Sequence, residues 1–237
     1  MKTQITEPVR ILFRREMAAP LAALAFASAV SIGLIVGRIG WMREFRYSFL
    51  AWNLVLAWVP LILALLTLGE YERRRRLTRR LVLLGFAWLL FFPNSPYLFT
   101  DLVHVTRGMR AHFWPDLILV LTSAMTGLVL GFVSLFVIQT VVRRALGGAA
   151  SWLFVLGAAG LGGVGICLGR FLRFNSWDVL VKPAAIVKEI GSAATSVGSS
   201  PSNAVIPLLF TAFLFTVYLL LYALTHISHF GRSRPDG

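Results

Sequence analysis

Five long apolar stretches, separated by short segments rich in arginine, constrain this sequence more than any other feature. Each has about 20 mostly apolar residues, enough for an α-helix to cross the roughly 30 Å hydrocarbon core of a bilayer. They are residues 18–37, 48–68, 117–142, 151–171 and 204–225. Hydrophobic residues make up 57% of the chain and charged residues 14%, against about 45–50% and about 25% in soluble domains. A soluble core cannot bury this much apolar surface, so we expect an integral membrane protein.

A sixth apolar stretch, residues 81–92, is too short to cross a membrane alone. As a helix it would extend only about 18 Å. The run Pro93-Asn94-Ser95-Pro96 follows, and apolar residues 97–99 come next. Because proline lacks the N–H that a helix interior uses, we predict a third span that is interrupted between Pro93 and Pro96. Asn94 or Ser95 is expected to cap the resumed helix, with Pro96 at its first position.

The distribution of Lys and Arg predicts the orientation, because these residues collect on the cytoplasmic side of a membrane. With the N-terminus inside, 14 of the 23 basic residues fall in inner segments, and the densest group lies between Arg73 and Arg80. We therefore predict an all-α polytopic bundle of six spans with both termini in the cytoplasm. It has a basic N-terminal segment at 1–17, one transmembrane domain at 18–225 and a tail at 226–237.

The net charge of +13 has to be reconciled with this architecture. The basic residues stand in short runs beside apolar stretches, which fits membrane topology and lipid headgroups. No soluble basic domain remains to hold nucleic acid, so membrane lipids are the expected partners and nucleic acid is not. Cys167 is the single cysteine, which excludes an internal disulfide and a cysteine-cluster metal site.

The predicted topology brings polar residues from three separate segments to the outer face. Six of them are ionisable: Asp101, His104, Asp116, Arg170, Arg173 and Asp178. Three more polar or aromatic residues lie close to these ionisable residues in the sequence: Asn94, Asn175 and Trp177. Arginine forks suit phosphate and carboxylate groups, so these residues are candidates for an anion-binding site. Asp101 and His104, three apart on one helical face, are the candidate catalytic pair.

Other interpretations of the same residues stay open. Charged groups near membrane depth are costly and usually pair with one another, so the cluster could be an ion-pair network that locks the helix ends together. Asp101, His104, Asp116 and Asp178 could hold a divalent metal, but no recognised ligand spacing is present, so no metal site is predicted. The sequence leaves open whether a cofactor is used. Cys167 with His104 could form a nucleophile–base pair, although a lone cysteine in an apolar helix is usually a packing residue.

Small residues mark the faces where helices are expected to meet. The run Gly160-Leu161-Gly162-Gly163-Val164-Gly165 has G-x-G-x-x-G spacing, but it lacks the preceding strand that a dinucleotide site requires. Small residues four apart instead let helices approach closely, as with Gly165 and Gly169 or with Ser123, Gly127 and Gly131. These faces could serve contacts within the chain, a partner helix or a homo-oligomer. The amide of Asn53 is expected to hydrogen-bond to a neighbouring helix.

Several motifs resemble a known family. They are Trp52-Asn53, Pro93-Asn94-Ser95-Pro96-Tyr97, Thr100-Asp101-Leu102-Val103-His104, Trp114-Pro115-Asp116 and Gly169-Arg170-Phe171-Leu172-Arg173-Phe174-Asn175-Ser176-Trp177-Asp178. Together they resemble the domain of unknown function 1361 family over about residues 48 to 225. The resemblance implies a multi-pass protein of the bacterial inner membrane and brings no reaction, substrate or cofactor. Its characteristic polar positions coincide with the outer residues that the topology gathers.

Three functions follow as hypotheses, and the sequence leaves open whether the protein is an enzyme. In the first, Arg170 and Arg173 hold an anionic lipid or phosphorylated group while Asp101 and His104 supply acid–base chemistry. In the second, the Pro93–Pro96 interruption lines the path of a small transporter. In the third, the protein is a structural or accessory subunit that packs against a partner through its small-residue faces.

Overall fold

The computed structural model describes residues 15–106, 112–171, 178–181, 184, 188, 191 and 202–230. These residues contain no strand, and six helical segments are long and apolar enough to cross a membrane. This result confirms the all-α polytopic prediction. The predicted termini lie largely outside the described residues, and the domain boundaries stay a prediction.

The spans are longer than the apolar stretches that predicted them. Span one is Arg15–Met42, span two is Ser48–Arg74, span four is Phe113–Leu146, span five is Gly148–Phe171 and span six is Ser202–Phe230. Span three consists of three consecutive helices, Arg79–Phe91, Asn94–Thr100 and Val103–Thr106, and a helical turn at Asp178–Val181 follows span five. The helices are longer than the apolar stretches because helical hydrogen bonding continues through the small, polar or charged residues at their ends.

Span four forms the centre of the bundle and contacts spans one, two, three and five. Its apolar core section is 61% buried, against 11% for span six, which packs mainly on span five. Span five carries Gly163 at that contact, where an added Cβ would lie 2.6 Å from the Pro207 carbonyl oxygen. The close approach confirms that glycines of the G-x-G-x-x-G run serve helix packing.

Ion pairs between spans show which helix ends lie together. At one end Arg38 pairs with Asp116 and Asp101 pairs with Arg170. At the other end Glu72 of span two pairs with Arg144 of span four. We call these the outer and inner ends, after the predicted orientation. Asp101 in span three and Arg170 in span five therefore lie at the same end of the bundle, as the topology predicts.

The interruption of span three is milder than predicted, and the predicted cap is wrong. Phe92 and Pro93 keep right-handed helical angles, and Pro93 stands at the N-cap position without a side-chain hydrogen bond. Asn94, not Pro96, is the first residue of the resumed helix. The hydroxyl of Ser95 donates to the Ala57 carbonyl of span two at 2.9 Å, so it links two spans instead of capping its own helix.

The interruption packs against small residues of spans four and five. An added Cβ at Gly127 would lie 2.8 Å from the Ser95 carbonyl oxygen, and one at Gly131 would lie 2.9 Å from the Ser95 Cβ. At Gly165 it would lie 2.6 Å from Cγ of Pro93. These contacts confirm that Gly127 and Gly131 of one predicted face and Gly165 of the other lie at helix–helix contacts, here within one chain. A partner helix or second copy stays a prediction.

Candidate functional site at the outer end

The centre of the outer site is the carboxylate of Asp101, which is 1% exposed. Arg170 of span five donates from Nη1 to Oδ1 at 2.9 Å, and Asn53 of span two donates from Nδ2 to Oδ2 at 3.1 Å. The Asn53 contact confirms the predicted hydrogen bond to a neighbouring helix. A buried charge needs both a counter-charge and hydrogen bonds. For Asp101, Arg170 supplies the counter-charge and one hydrogen bond, and Asn53 supplies a second hydrogen bond.

His104 completes the group and is more exposed than Asp101 and Arg170. Its Nδ1 lies 3.4 Å from Nη2 of Arg170, 3.2 Å from the Asp101 carbonyl oxygen and 3.6 Å from Asp101 Oδ1. The ring also stacks in a tilted arrangement on Phe49, with centroids 5.1 Å apart. The His104 side chain is 33% exposed and the Arg170 side chain 17%, so these two reach the surface above the buried carboxylate.

The local backbone explains how Asp101 and His104 meet. They do not share one helix, contrary to the prediction. Asp101 ends the helix Asn94–Thr100, where its N–H donates to the Leu98 carbonyl at 3.1 Å. The His104 N–H then donates to the Asp101 carbonyl at 2.9 Å in the next turn. These successive tight turns leave both side chains on the side of span three that faces Arg170.

Asp116 belongs to a second cluster at the same end. Arg38 of span one donates to its two oxygens, from Nε at 2.6 Å and from Nη2 at 3.4 Å. The Tyr47 hydroxyl also donates to Asp116, at 3.0 Å. Sequence reasoning missed Arg38 and Tyr47, although an arginine directly after an apolar stretch ending at residue 37 is a signal for a buried counter-charge. The predicted single cluster is therefore two separate ion-paired groups.

The remaining candidates divide in two. Asn94 and Asp178 are described and half-buried, Asn94 at the start of the resumed helix and Asp178 at the start of its short turn. Arg173, Asn175 and Trp177 lie outside the described residues. Within the described part of the chain, no three His, Cys, Asp or Glu side chains come close enough to hold a metal ion. The assignment of these residues to ligand binding or catalysis stays a prediction.

Tyr47 gives the second cluster a measurable titration. It lies in the turn between spans one and two and is 1% exposed. Burial, followed by its hydrogen bond to Asp116, raises the pKa of Tyr47 from 10.0 to about 12. Since the folded-state pKa is raised, the neutral phenol is the form that stabilises the fold. The contribution of the neutral Tyr47 phenol to the free energy of unfolding is complete below a pH of about 10 and is lost as the pH rises through about 12.

We expect Tyr47→Phe to lower the free energy of unfolding by roughly 1.5–3 kcal/mol at neutral pH, because it removes a hydrogen bond to a charged acceptor. In a tyrosinate absorbance titration, wild type minus variant should show one phenol that ionises near 12. A difference spectrum with its midpoint near 10 would contradict the buried Asp116–Tyr47 contact.

A search of curated proteins and a search of solved structures each find no match. The sequence model of the family described as protein of unknown function (DUF1361) matches residues 52–220. The match includes Asn53, Asp101, His104, Asp116 and Arg170, the members of both clusters other than Arg38 and Tyr47. Because it covers more than half of the chain, this protein belongs to the DUF1361 family.

Proposed function

We propose that this membrane protein binds an anionic group, a phosphate or a carboxylate, at the outer end of the bundle through Arg170 and His104. The observation that supports this is the pairing of a guanidinium anchored on a buried carboxylate with a partly exposed imidazole 3.4 Å away. The inner membrane of a bacterium is the location we infer, on the family resemblance.

Asp101 acts in this proposal as a positioning residue. It is 1% exposed, so a ligand meets Arg170 and His104 first. The carboxylate fixes the guanidinium plane through Nη1, which reduces the conformational entropy that Arg170 loses when it binds an anion. A guanidinium has five N–H donors, and the contacts to Asp101 and His104 use one each.

His104 adjusts the charge of the site. A hydrogen bond from Arg170 to Nδ1 requires the neutral ring with its proton on Nε2. A protonated ring would instead donate from Nδ1 to the Asp101 carbonyl, 3.2 Å away, and would add a positive charge to the neutral Asp101–Arg170 pair. Any acid–base step would use the His104 ring, because its side chain is 33% exposed and the Asp101 side chain only 1%.

A second role is favoured by the same buried carboxylate. Asp101 joins spans two, three and five through Asn53 and Arg170. This arrangement suits a lock that fixes the outer ends of three helices. The lock and the anion site are compatible, because the first uses the buried side of the Arg170 guanidinium and the second uses its exposed side.

The test uses the full chain in a zwitterionic detergent, with inorganic phosphate and a short-chain phosphatidic acid as probes. If phosphatidic acid binds, a concentration of 100 times its Kd should stabilise the protein by about 2.7 kcal/mol, seen as a higher unfolding midpoint. Stabilisation by phosphatidic acid but not by inorganic phosphate would identify a lipid headgroup. Stabilisation by both would identify phosphate itself as the recognised group.

His104→Ala should remove most of this stabilisation without changing the stability of the ligand-free protein by more than about 1 kcal/mol. His112→Ala is a matched control, since His112 is also a half-buried histidine at the outer end and also contacts an aromatic ring, that of Trp41 at 5.7 Å. Equal ligand responses in wild type and His104→Ala, or the same loss in His112→Ala, would refute the proposed site.

A further inference from the structure

The inner end of the bundle carries a dense group of exposed arginines, which we call the inner arginine patch. Its members lie at the ends of spans two, three and four and in the turn between spans two and three: Arg73, Arg74, Arg75, Arg76, Arg79, Arg80, Arg143 and Arg144. The carboxylates among them are Glu70 and Glu72, with side chains 7% and 11% exposed. Eight arginines against two carboxylates leave an excess of six positive charges on this surface.

The outer end differs in the placement of its charges. Arg38 and Arg170 are each paired with a buried aspartate there. The turn between spans one and two exposes Arg43 and Arg46 together with Glu44. Among the residues that the structure describes, the inner end therefore has the more strongly positive exposed surface.

Glu70 organises the patch around the turn between spans two and three. It contacts Arg73 at 2.5 Å and Arg80 at 3.9 Å, from the two sides of the turn. Thr78 donates to Glu70 at 3.4 Å and accepts from the Leu81 N–H at 3.1 Å, which caps the next helix. A turn held in this way presents its remaining arginines as a fixed array.

Exposed apolar side chains place this array at headgroup depth. Leu77 is 58% exposed within the arginine turn, and Leu146 is 60% exposed beside Arg143 and Arg144. One turn further along span three, Val82 and Leu83 are 60% and 67% exposed. Exposed leucines between arginines suit the boundary of headgroups and acyl chains better than open water.

We infer that the inner arginine patch binds the phosphate groups of anionic phospholipids in the adjacent leaflet. Guanidinium groups match phosphate oxygens in a two-point geometry, and each basic residue near an anionic leaflet contributes about 1 kcal/mol. The excess of positive charge is the complement of such a surface. A nucleic acid would leave Leu77 and Leu146 in water, so the lipid is the partner that satisfies both the charges and the leucines.

The test compares two matched pairs of arginines in the full chain. The variant Arg75→Gln/Arg76→Gln neutralises the inner turn, and Arg43→Gln/Arg46→Gln neutralises the outer turn. Each pair includes one arginine with left-handed backbone, Arg75 at φ 52° and Arg43 at φ 55°, so the backbone strain is comparable. The readout is the ratio of phosphatidylglycerol to phosphatidylcholine that stays bound to protein extracted from mixed bilayers, measured by native mass spectrometry.

Wild type should retain phosphatidylglycerol above its bulk fraction. The preference for phosphatidylglycerol should fall about fivefold for each inner arginine removed, the factor that corresponds to about 1 kcal/mol. In the outer variant this preference should be the same as in wild type. Arg75→Lys/Arg76→Lys should keep most of the preference, since the charge remains. An equal fall in the outer variant, no fall in the inner one, or a lysine variant as weak as the glutamine variant would overturn the inference. Tighter binding of a DNA oligonucleotide than of phosphatidylglycerol would also overturn it.

Discussion

Replacing Asp101 with alanine is expected to lower the free energy of unfolding by about 3–5 kcal/mol, because the change leaves a partly buried guanidinium without its counter-charge. Arg170 would lose its hydrogen bond at 2.9 Å, and Asn53 would lose the acceptor of its amide at 3.1 Å. Reversible unfolding of the full chain in mixed detergent micelles would measure the difference.

Three further variants, Glu44→Ala, Arg170→Ala and Asp101→Ala/Arg170→Ala, separate the lock from a general loss of charge. Glu44→Ala removes an exposed carboxylate from the same end of the bundle and should change the free energy of unfolding by no more than about 0.5 kcal/mol. The double variant Asp101→Ala/Arg170→Ala should be more stable than the sum of the two single changes predicts, because it leaves no unpaired charge. Strict additivity, or a loss below about 1 kcal/mol in Asp101→Ala, would show that the pair does not hold the helices together.

The second large effect is expected from Gly163→Ala, at the contact between spans five and six. A Cβ at this position would lie 2.6 Å from both the Pro207 carbonyl oxygen and the Thr211 hydroxyl oxygen, and 3.0 Å from the Thr211 backbone nitrogen. Backbone atoms cannot rotate away as a flexible side chain can, so span six has to move outward. Overpacking of this kind typically lowers stability by about 1–3 kcal/mol.

Span five provides its own control for this substitution. A Cβ at Gly157 or Gly160 meets nothing within 4 Å, so alanine there should be neutral or slightly stabilising in the same unfolding experiment. If Gly163→Ala and Gly160→Ala have the same stability, the close approach of spans five and six does not exist as described. Loss of span six from its site should also increase protease access to its C-terminal end in the Gly163 variant.

How far the sequence predicts this fold depends on the range of the interaction concerned. Span three shows the limit. The interruption at Pro93 and Pro96 can be predicted because proline lacks the backbone donor. Its mild geometry cannot be predicted in this way, because the Ser95 hydroxyl donates to the Ala57 carbonyl of span two and does not cap its own helix. A cap prediction considers only neighbours in sequence, whereas this hydrogen bond joins residues 38 positions apart.

The candidate site shows the same limit in its charges. Alternation of the spans is sufficient to bring Asp101, Asp116 and Arg170 to one end. It does not say which carboxylate meets which arginine. Arg38 pairs with Asp116 because span one packs on span four. Arg170 pairs with Asp101 because span five contacts span three.

The sequence by itself determined that the described part of this chain forms six helices long and apolar enough to cross a membrane, and which helix ends lie together. Both follow from local quantities, the length of apolar stretches and the placement of arginine between them. Only the tertiary structure decided how the outer polar residues divide into two ion-paired groups and which residues the predicted small-residue faces meet. Those outcomes depend on the rotation of each helix about its axis, which is set by side-chain contacts between distant segments.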